Sequence, residues 1–183
     1  MRVISGLARG IKLETLEGLD TRPTTDRVKE ALFSMIQTKI GGAEVLDLFS
    51  GSGALGIEML SRGAQKVTFI EQNPKLKPII ISNLTKTKLV DKASVQCQDV
   101  YFALAQLHGK QFDIIIMDPP YLMGDVKKSL DAIENYDLLK PNGIISVEHA
   151  IGDPEIIVET TYLESLKTKK YGKIGITVFR RPQ

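Results

Sequence analysis

Five short apolar runs, separated by stretches of helical periodicity, most constrain what this chain can fold into. EVLDLFS (44–50), KVTFIEQ (66–72), ASVQCQD (93–99), FDIIIMD (112–118) and GIISVEHA (143–150) have the length and bounding of buried strands. Between them, ALGIEMLSRG closes at Gly63 and PKLKPIIISNLTKTKL carries Pro74 near its first turn. VYFALAQLHG closes at Gly109, and VKKSLDAIENYDLL precedes the turn KPNG that opens the last run. Strands joined through helices run parallel, and a parallel sheet must be covered on both faces. The pattern predicts an α/β fold.

The two ends read differently. RVISG…GIKLETL predicts a short N-terminal β-hairpin, and TTDRVKEALFSMIQTKI an amphipathic helix with Val28, Leu32, Met35 and Ile36 on one face. Thr24 or Thr25 can serve as its N-cap. At the other end YLESLKTKKYGKIGITVFRR predicts two strands about a YGK turn, an antiparallel hairpin at the sheet edge. The expected architecture is therefore an extension over 1–40, holding the hairpin, the RPTTDR segment and a helix. A domain over 41–183 follows, built on about seven mostly parallel strands.

Composition removes several function classes. No apolar run approaches the ~20 residues of a membrane span. MRVISGLARG has no apolar secretory core, so a cytoplasmic protein is expected. Cys97 is the only cysteine and His108 and His149 the only histidines, so no metal site is expected. A monomer is favoured. The net charge of +2 implies no partner by itself, but from Ser165 onward the chain carries only positive charges. Lys167, Lys169, Lys170, Lys173, Arg180 and Arg181 either guard an exposed edge strand or grip phosphates.

After the first strand comes DLFSGSGALG, in which Gly51, Gly53 and Gly56 spell G-x-G-x-x-G at the opening of a helix. Glycines there let backbone N–H groups approach a ligand closely, and a side chain at Gly53 would fill the space that the ligand needs. Glu71 ends the next strand, 18 residues after Gly53, where an acid can accept both hydroxyls of a ribose. An adenosine-containing cofactor is the reading, either NAD or S-adenosylmethionine. Asp47 lies within the strand before the loop, where it suits a cationic methionine and would repel a pyrophosphate. Asp99 ends the third strand and reads equally as an acceptor for an adenine amino group or as a helix N-cap.

The fourth strand ends in DPPY, residues 118–121. Pro119 and Pro120 have no backbone N–H, so the strand stops there on a stiff corner that projects Asp118 and Tyr121. An acid and an aromatic ring held this way serve a transferase acting on an amino group attached to a flat ring. A dehydrogenase has no use for them.

DLFSGSGALG together with DPPY resembles the class I, Rossmann-like methyltransferases that methylate exocyclic amines of nucleobases. RVISGLARGIKL followed by TRPTTDRVKEALFSMI resembles the opening of RsmD-type 16S rRNA (guanine-N2)-methyltransferases, and the likeness spans nearly the whole chain. The resemblance implies methyl transfer from S-adenosylmethionine to the N2 amine of a guanine in 16S rRNA, within a small ribosomal subunit or an assembly intermediate. It implies a catalytic corner of Asp118, Pro119, Pro120 and Tyr121. The expected cofactor site is Asp47, Ser50, Gly51, Ser52, Gly53, Glu71 and Asp99. It also implies that the N-terminal segment lies over the site, so that Arg22 and Arg27 either meet substrate phosphate or form surface salt bridges with Asp20, Asp26 or Glu30. Strand alternation puts Lys167 and Lys169 on one face of the hairpin, as the pair that would meet RNA phosphate. Rival readings are methylation of DNA adenine or protein glutamine, and an NAD-dependent oxidoreductase.

Overall fold

The computed structural model describes residues 1–16, 26–156 and 161–183. Seven strands form one sheet: β1 (Glu44–Leu48), β2 (Lys66–Glu71), β3 (Ala93–Cys97), β4 (Phe112–Met117), β5 (Leu139–Ala150), β6 (Glu164–Tyr171) and β7 (Ile174–Arg180). Their order is β3-β2-β1-β4-β5-β7-β6. β1 to β5 pair in parallel, and β7 pairs antiparallel with both β5 and β6. The helices are α1 (Asp26–Ile40), α2 (Ala54–Ser61), α3 (Leu76–Lys86), α4 (Val100–Gln106) and α5 (Asp125–Asn135).

Successive side chains of a strand point to opposite faces, so two cores form. On one face Val45, Val67, Phe69, Ile114 and Ile116 pack with α1, α2 and α3. On the other, Leu46, Leu48, Ile70, Ile115 and Met117 pack with α4 and α5. This is why β4 reads as an unbroken apolar run: both of its sides are covered. Val3, Ala8 and Leu13 of the N-terminal segment belong to the first core with α1. The predicted apolar face of α1 is present, with Val28, Leu32 and Ile36 buried and Met35 half-buried.

Boundaries shift in three places. The N-terminal hairpin is present as one antiparallel bridge, Arg2 to Lys12, flanked by backbone bonds between Val3 and Ile11 and between Leu13 and Met1. β5 starts at Leu139 rather than after KPNG. Phe112 pairs with Leu139 and Ile114 with Ile144, so the KPNG residues are absorbed as an irregularity within the strand. α5 ends at Asn135, because Tyr136 and Asp137 make the closing turn, Asp137 with a left-handed φ of 51°. Thr24 and Thr25 lie outside the described residues.

Candidate active site

The sheet order reverses direction at β1, with β2 and β3 on one side and β4 and β5 on the other. Beyond the carboxyl ends of two such strands lies a crevice that no crossover fills. Here it is a cavity of about 690 Å³, lined by the loop after β1, by Glu71 and by Asp118 to Tyr121. Thr15 and Leu16 of the N-terminal segment also line it.

The loop after β1 is held by its own backbone. Phe49 sits at φ 58°, Gly51 at 57° and Gly53 at 82°. A phenylalanine in the left-handed region costs on the order of 1–2 kcal/mol and is retained only where the surroundings impose it. Ser50 imposes much of it. Its N–H donates to the Ile70 carbonyl at 3.0 Å, and its hydroxyl to the Asp47 carbonyl at 2.8 Å, within reach of Ile70 at 3.1 Å. Ser50 thus spends its polar atoms on tying β1 to β2. A Cβ on Gly51 would meet nothing within 4 Å, whereas one on Gly53 would stand 3.1 Å from Cγ2 of Ile80. Gly53 is therefore required by left-handed backbone and by packing, and its missing side chain faces Ile80 rather than the ligand space. Gly56 serves another close approach: a Cβ there would lie 2.3 Å from the Phe69 ring and 2.7 Å from the Asp47 carboxylate.

The three acids differ sharply. Asp47 is buried, and its Oδ2 accepts the Gly56 N–H at 3.0 Å. Burial pushes its pKa up to about 8; the Gly56 bond opposes that rise and the Glu71 charge adds to it. Glu71 accepts Gly51 N–H on one oxygen and Asn73 N–H on the other, both at 2.8 Å. A carboxylate has about four acceptor sites, so one remains on each oxygen for a ligand hydroxyl. Asp99 is the N-cap of α4: its Oδ1 accepts from Tyr101 N–H at 2.9 Å and Phe102 N–H at 3.0 Å. It is exposed, and its neighbour Val100 lines the cavity in its place.

At the corner Pro119 is buried and Pro120 exposed. The Tyr121 hydroxyl donates to Oε1 of Glu148 at 2.6 Å. Glu148 is buried on β5 directly after Val147, which pairs with Met117, so in register it stands beside Asp118. Sequence reading missed Glu148. The available signal was an acid at the carboxyl end of an apolar strand, the same signal that singled out Glu71 and Asp118.

Of the residues expected to meet RNA, Arg22 lies outside the described residues. Arg27 is exposed at the start of α1, with its guanidinium 6.0 Å from the Tyr171 ring centre. Lys167 pairs with Val178, Lys169 with Ile176 and Tyr171 with Ile174, so these three share a face with Arg27; Lys170 turns the other way. Arg180 and Arg181 are not available in the same sense. Arg180 is ion-paired with Glu164, and Arg181 with Asp137 at 2.6 Å while its guanidinium lies over the Tyr162 ring.

The sequence also gave no sign of the buried polar groups that hold the N-terminal segment. Lys29 and Glu58, both fully buried, lie 3.4 Å apart. Burial lowers the Lys29 pKa, and Glu58 counters it. Lys29 donates to the Arg2 carbonyl, and Glu58 accepts the N–H groups of Ile4 and Ser5. A Cβ on Gly6 would fall 1.8 Å from the Ser61 carbonyl, so this segment follows the end of α2 closely. Among the described residues no cluster of His, Cys, Asp and Glu could hold a metal ion, and no helix is long and apolar enough to cross a membrane.

Comparison with known proteins agrees with this geometry. The chain is 37% identical over 182 residues to the ribosomal RNA small subunit methyltransferase D of Haemophilus influenzae, covering 98% of this chain and 93% of that protein. Against the Escherichia coli K12 protein of the same name it is 37% identical over 151 residues, 82% of this chain and 75% of that one. The solved structure of Escherichia coli yhhF superposes with a TM-score of 0.88 at 34% identity, covering 100% of this chain and 98% of that one. A Bacillus cereus O-methyltransferase shares the fold at a TM-score of 0.70 and 16% identity, covering 86% of this chain and 82% of that one. The family model described as Conserved hypothetical protein 95 matches residues 1–180, and the chain belongs to that family, the RsmD-type family whose motifs it carries.

Proposed function

We infer that this chain transfers a methyl group from S-adenosylmethionine to the exocyclic N2 amine of a guanine in 16S rRNA. The observation that carries the reading is one cavity shared by the glycine loop, Glu71 and the Asp118–Tyr121 corner. The names of the relatives, which specify small-subunit rRNA, favour it over DNA adenine or protein glutamine. Asp47, a buried acid that a cationic ligand would ionise, favours a positively charged methionine over the pyrophosphate of NAD.

The residues fit an adenosine bearing a cationic methionine. Glu71 takes the ribose hydroxyls on its two remaining acceptor sites, and open space at Gly51 admits the ligand against the loop. Ser52 lines the same wall, Gly53 holds the turn, and Asp47 faces the positive end. Asp99, exposed and capping α4 through Oδ1, is assigned the adenine amine on its other oxygen. When bound, the cofactor supplies an electrophilic methyl on a positively charged sulfur.

The chain's work is on the amine. The guanine N2 lone pair is delocalised into the ring and must be drawn out of plane to attack. The Asp118 carboxylate and the Pro119 carbonyl accept its two N–H bonds, an interaction that strengthens as positive charge builds on nitrogen. Glu71, Asp47 and the loop at Gly51 would hold the cofactor, which would supply the methyl to N2 and be left as a neutral thioether, while the methylated nitrogen would shed one proton to solvent. Tyr121 offers its ring for stacking of the extruded base, steadied by Glu148. Holding the reacting atoms in line contributes most.

Arg27, Lys167 and Lys169 contact rRNA phosphates on the α1 face, and Arg22 is assigned the same task on sequence grounds alone. Residues 1–40 act as the extension that completes the substrate surface of the 41–183 domain. The substrate is a small ribosomal subunit or its assembly intermediate, and the enzyme acts as a cytoplasmic monomer. Calorimetric titration tests the cofactor half. S-adenosylhomocysteine binding at micromolar strength with NAD far weaker is expected, and the reverse order would sink the reading.

A further inference from the structure

Asn83 lies in the middle of α3, fully buried, and spends its whole amide on two segments distant in sequence. Its Oδ1 accepts the Glu14 N–H at 2.7 Å, and its Nδ2 donates to the Glu14 carbonyl and to the Ser52 carbonyl, both at 3.0 Å. Ser52 belongs to the glycine loop, and Glu14 is followed by Thr15 and Leu16, which line the same cavity. The α3 surface adds a second grip on Glu14, whose carboxylate accepts the Ser82 hydroxyl at 3.2 Å and lies 3.9 Å from the Lys86 ammonium. One side chain therefore fixes both the wall that meets the cofactor and the wall contributed by the N-terminal segment.

We propose that Asn83 is a positioning residue coupling the glycine loop to the Thr15–Leu16 segment, so that an occupied loop completes the substrate-facing wall. The proposal rests on the cofactor reading above. A buried amide with both N–H groups and its oxygen engaged is held in one orientation. Any displacement of the Ser52 carbonyl must be absorbed by Asn83 and passed to Glu14, while a ligand that holds the loop still holds Glu14 as well. Such a linkage is reciprocal: what orders one wall favours the ligand of the other.

The expected signature is local. S-adenosylhomocysteine should slow amide hydrogen exchange at Gly51 to Gly53 and also at Glu14 to Leu16, the latter about tenfold, within the usual range of coupling between sites. Asn83→Asp keeps the shape and the acceptor but turns both donated bonds into oxygen facing oxygen. It should keep protection at Gly51 to Gly53 and lose it at Glu14 to Leu16. Its KM for small ribosomal subunits should rise about tenfold with kcat little changed. Glu14→Pro deletes the N–H that Asn83 Oδ1 accepts, keeps the Glu14 carbonyl and should give the same split, which keeps the test open if Asn83→Asp unfolds. Full ligand protection at Thr15 and Leu16 in either variant, with unchanged KM, would overturn the coupling while leaving the cofactor reading intact. Failure of the unaltered chain to bind S-adenosylhomocysteine would overturn both.

Discussion

Asp47 and Asp118 carry opposite demands on one cavity. Asp47, its pKa raised to about 8 by burial, is mostly protonated in the free protein at neutral pH. A cationic ligand favours its ionised form, so binding below that value releases a proton. Affinity for S-adenosylhomocysteine is expected to strengthen from pH 6.5 towards 8 and then flatten, and calorimetry in buffers of different ionisation enthalpy should detect the released proton. Stability has the opposite sign: a native carboxyl that holds its proton more tightly than the unfolded chain loses stability as pH rises from about 4 to 8. Asp47→Asn should flatten both curves. Asp118→Ala should abolish turnover while leaving cofactor affinity within a few-fold. Tyr121→Phe, which keeps the ring and removes the bond to Glu148, should be mild beside Tyr121→Ala, which would forfeit roughly 1–3 kcal/mol of base stacking. Near-normal kcat in Asp118→Ala would refute the chemistry assigned to the corner.

Elements place these residues, and β4 shows how. Ile115 is fully buried against α4 and α5, so Ile115→Ala should cost about 2–5 kcal/mol in denaturant unfolding. Gly56→Ala drives a methyl into Phe69 and Asp47, and should lower both stability and cofactor affinity. β4 was legible because four isoleucine and methionine positions in a row admit only a strand covered twice. β5 was legible only from Gly143 onward, since KPNG reads as a turn and its pairing with β4 is set by an irregularity invisible in the chain. The corner and the glycine loop were legible because their meaning lies in adjacent residues. Glu148, Asn83 and the Lys29–Glu58 pair were not, because the partner of each is 25 or more residues away. Asp99 remained two-sided in sequence, and only the structure shows its capping bonds.

At the scale of the whole molecule the question is which surface would hold the proposed RNA. Arg27, Lys167 and Lys169 share a face, whereas Arg180 and Arg181 are committed to Glu164 and Asp137. Changing Lys167 and Lys169 together to Glu should therefore flatten the salt dependence of methyl transfer by about 0.7–0.9 per lost contact in log–log slope. Affinity for S-adenosylhomocysteine should be unaltered, because neither lysine lines the cavity. An unchanged slope would return the hairpin to the protection of an edge strand. The most direct test of the central claim is mass-spectrometric mapping of 16S rRNA from cells lacking this chain. The expected result is loss of one N2-methylguanine, restored when the purified protein and S-adenosylmethionine are added to the small subunits. An unchanged modification pattern, or restoration of methylation on a different base or atom, would contradict it.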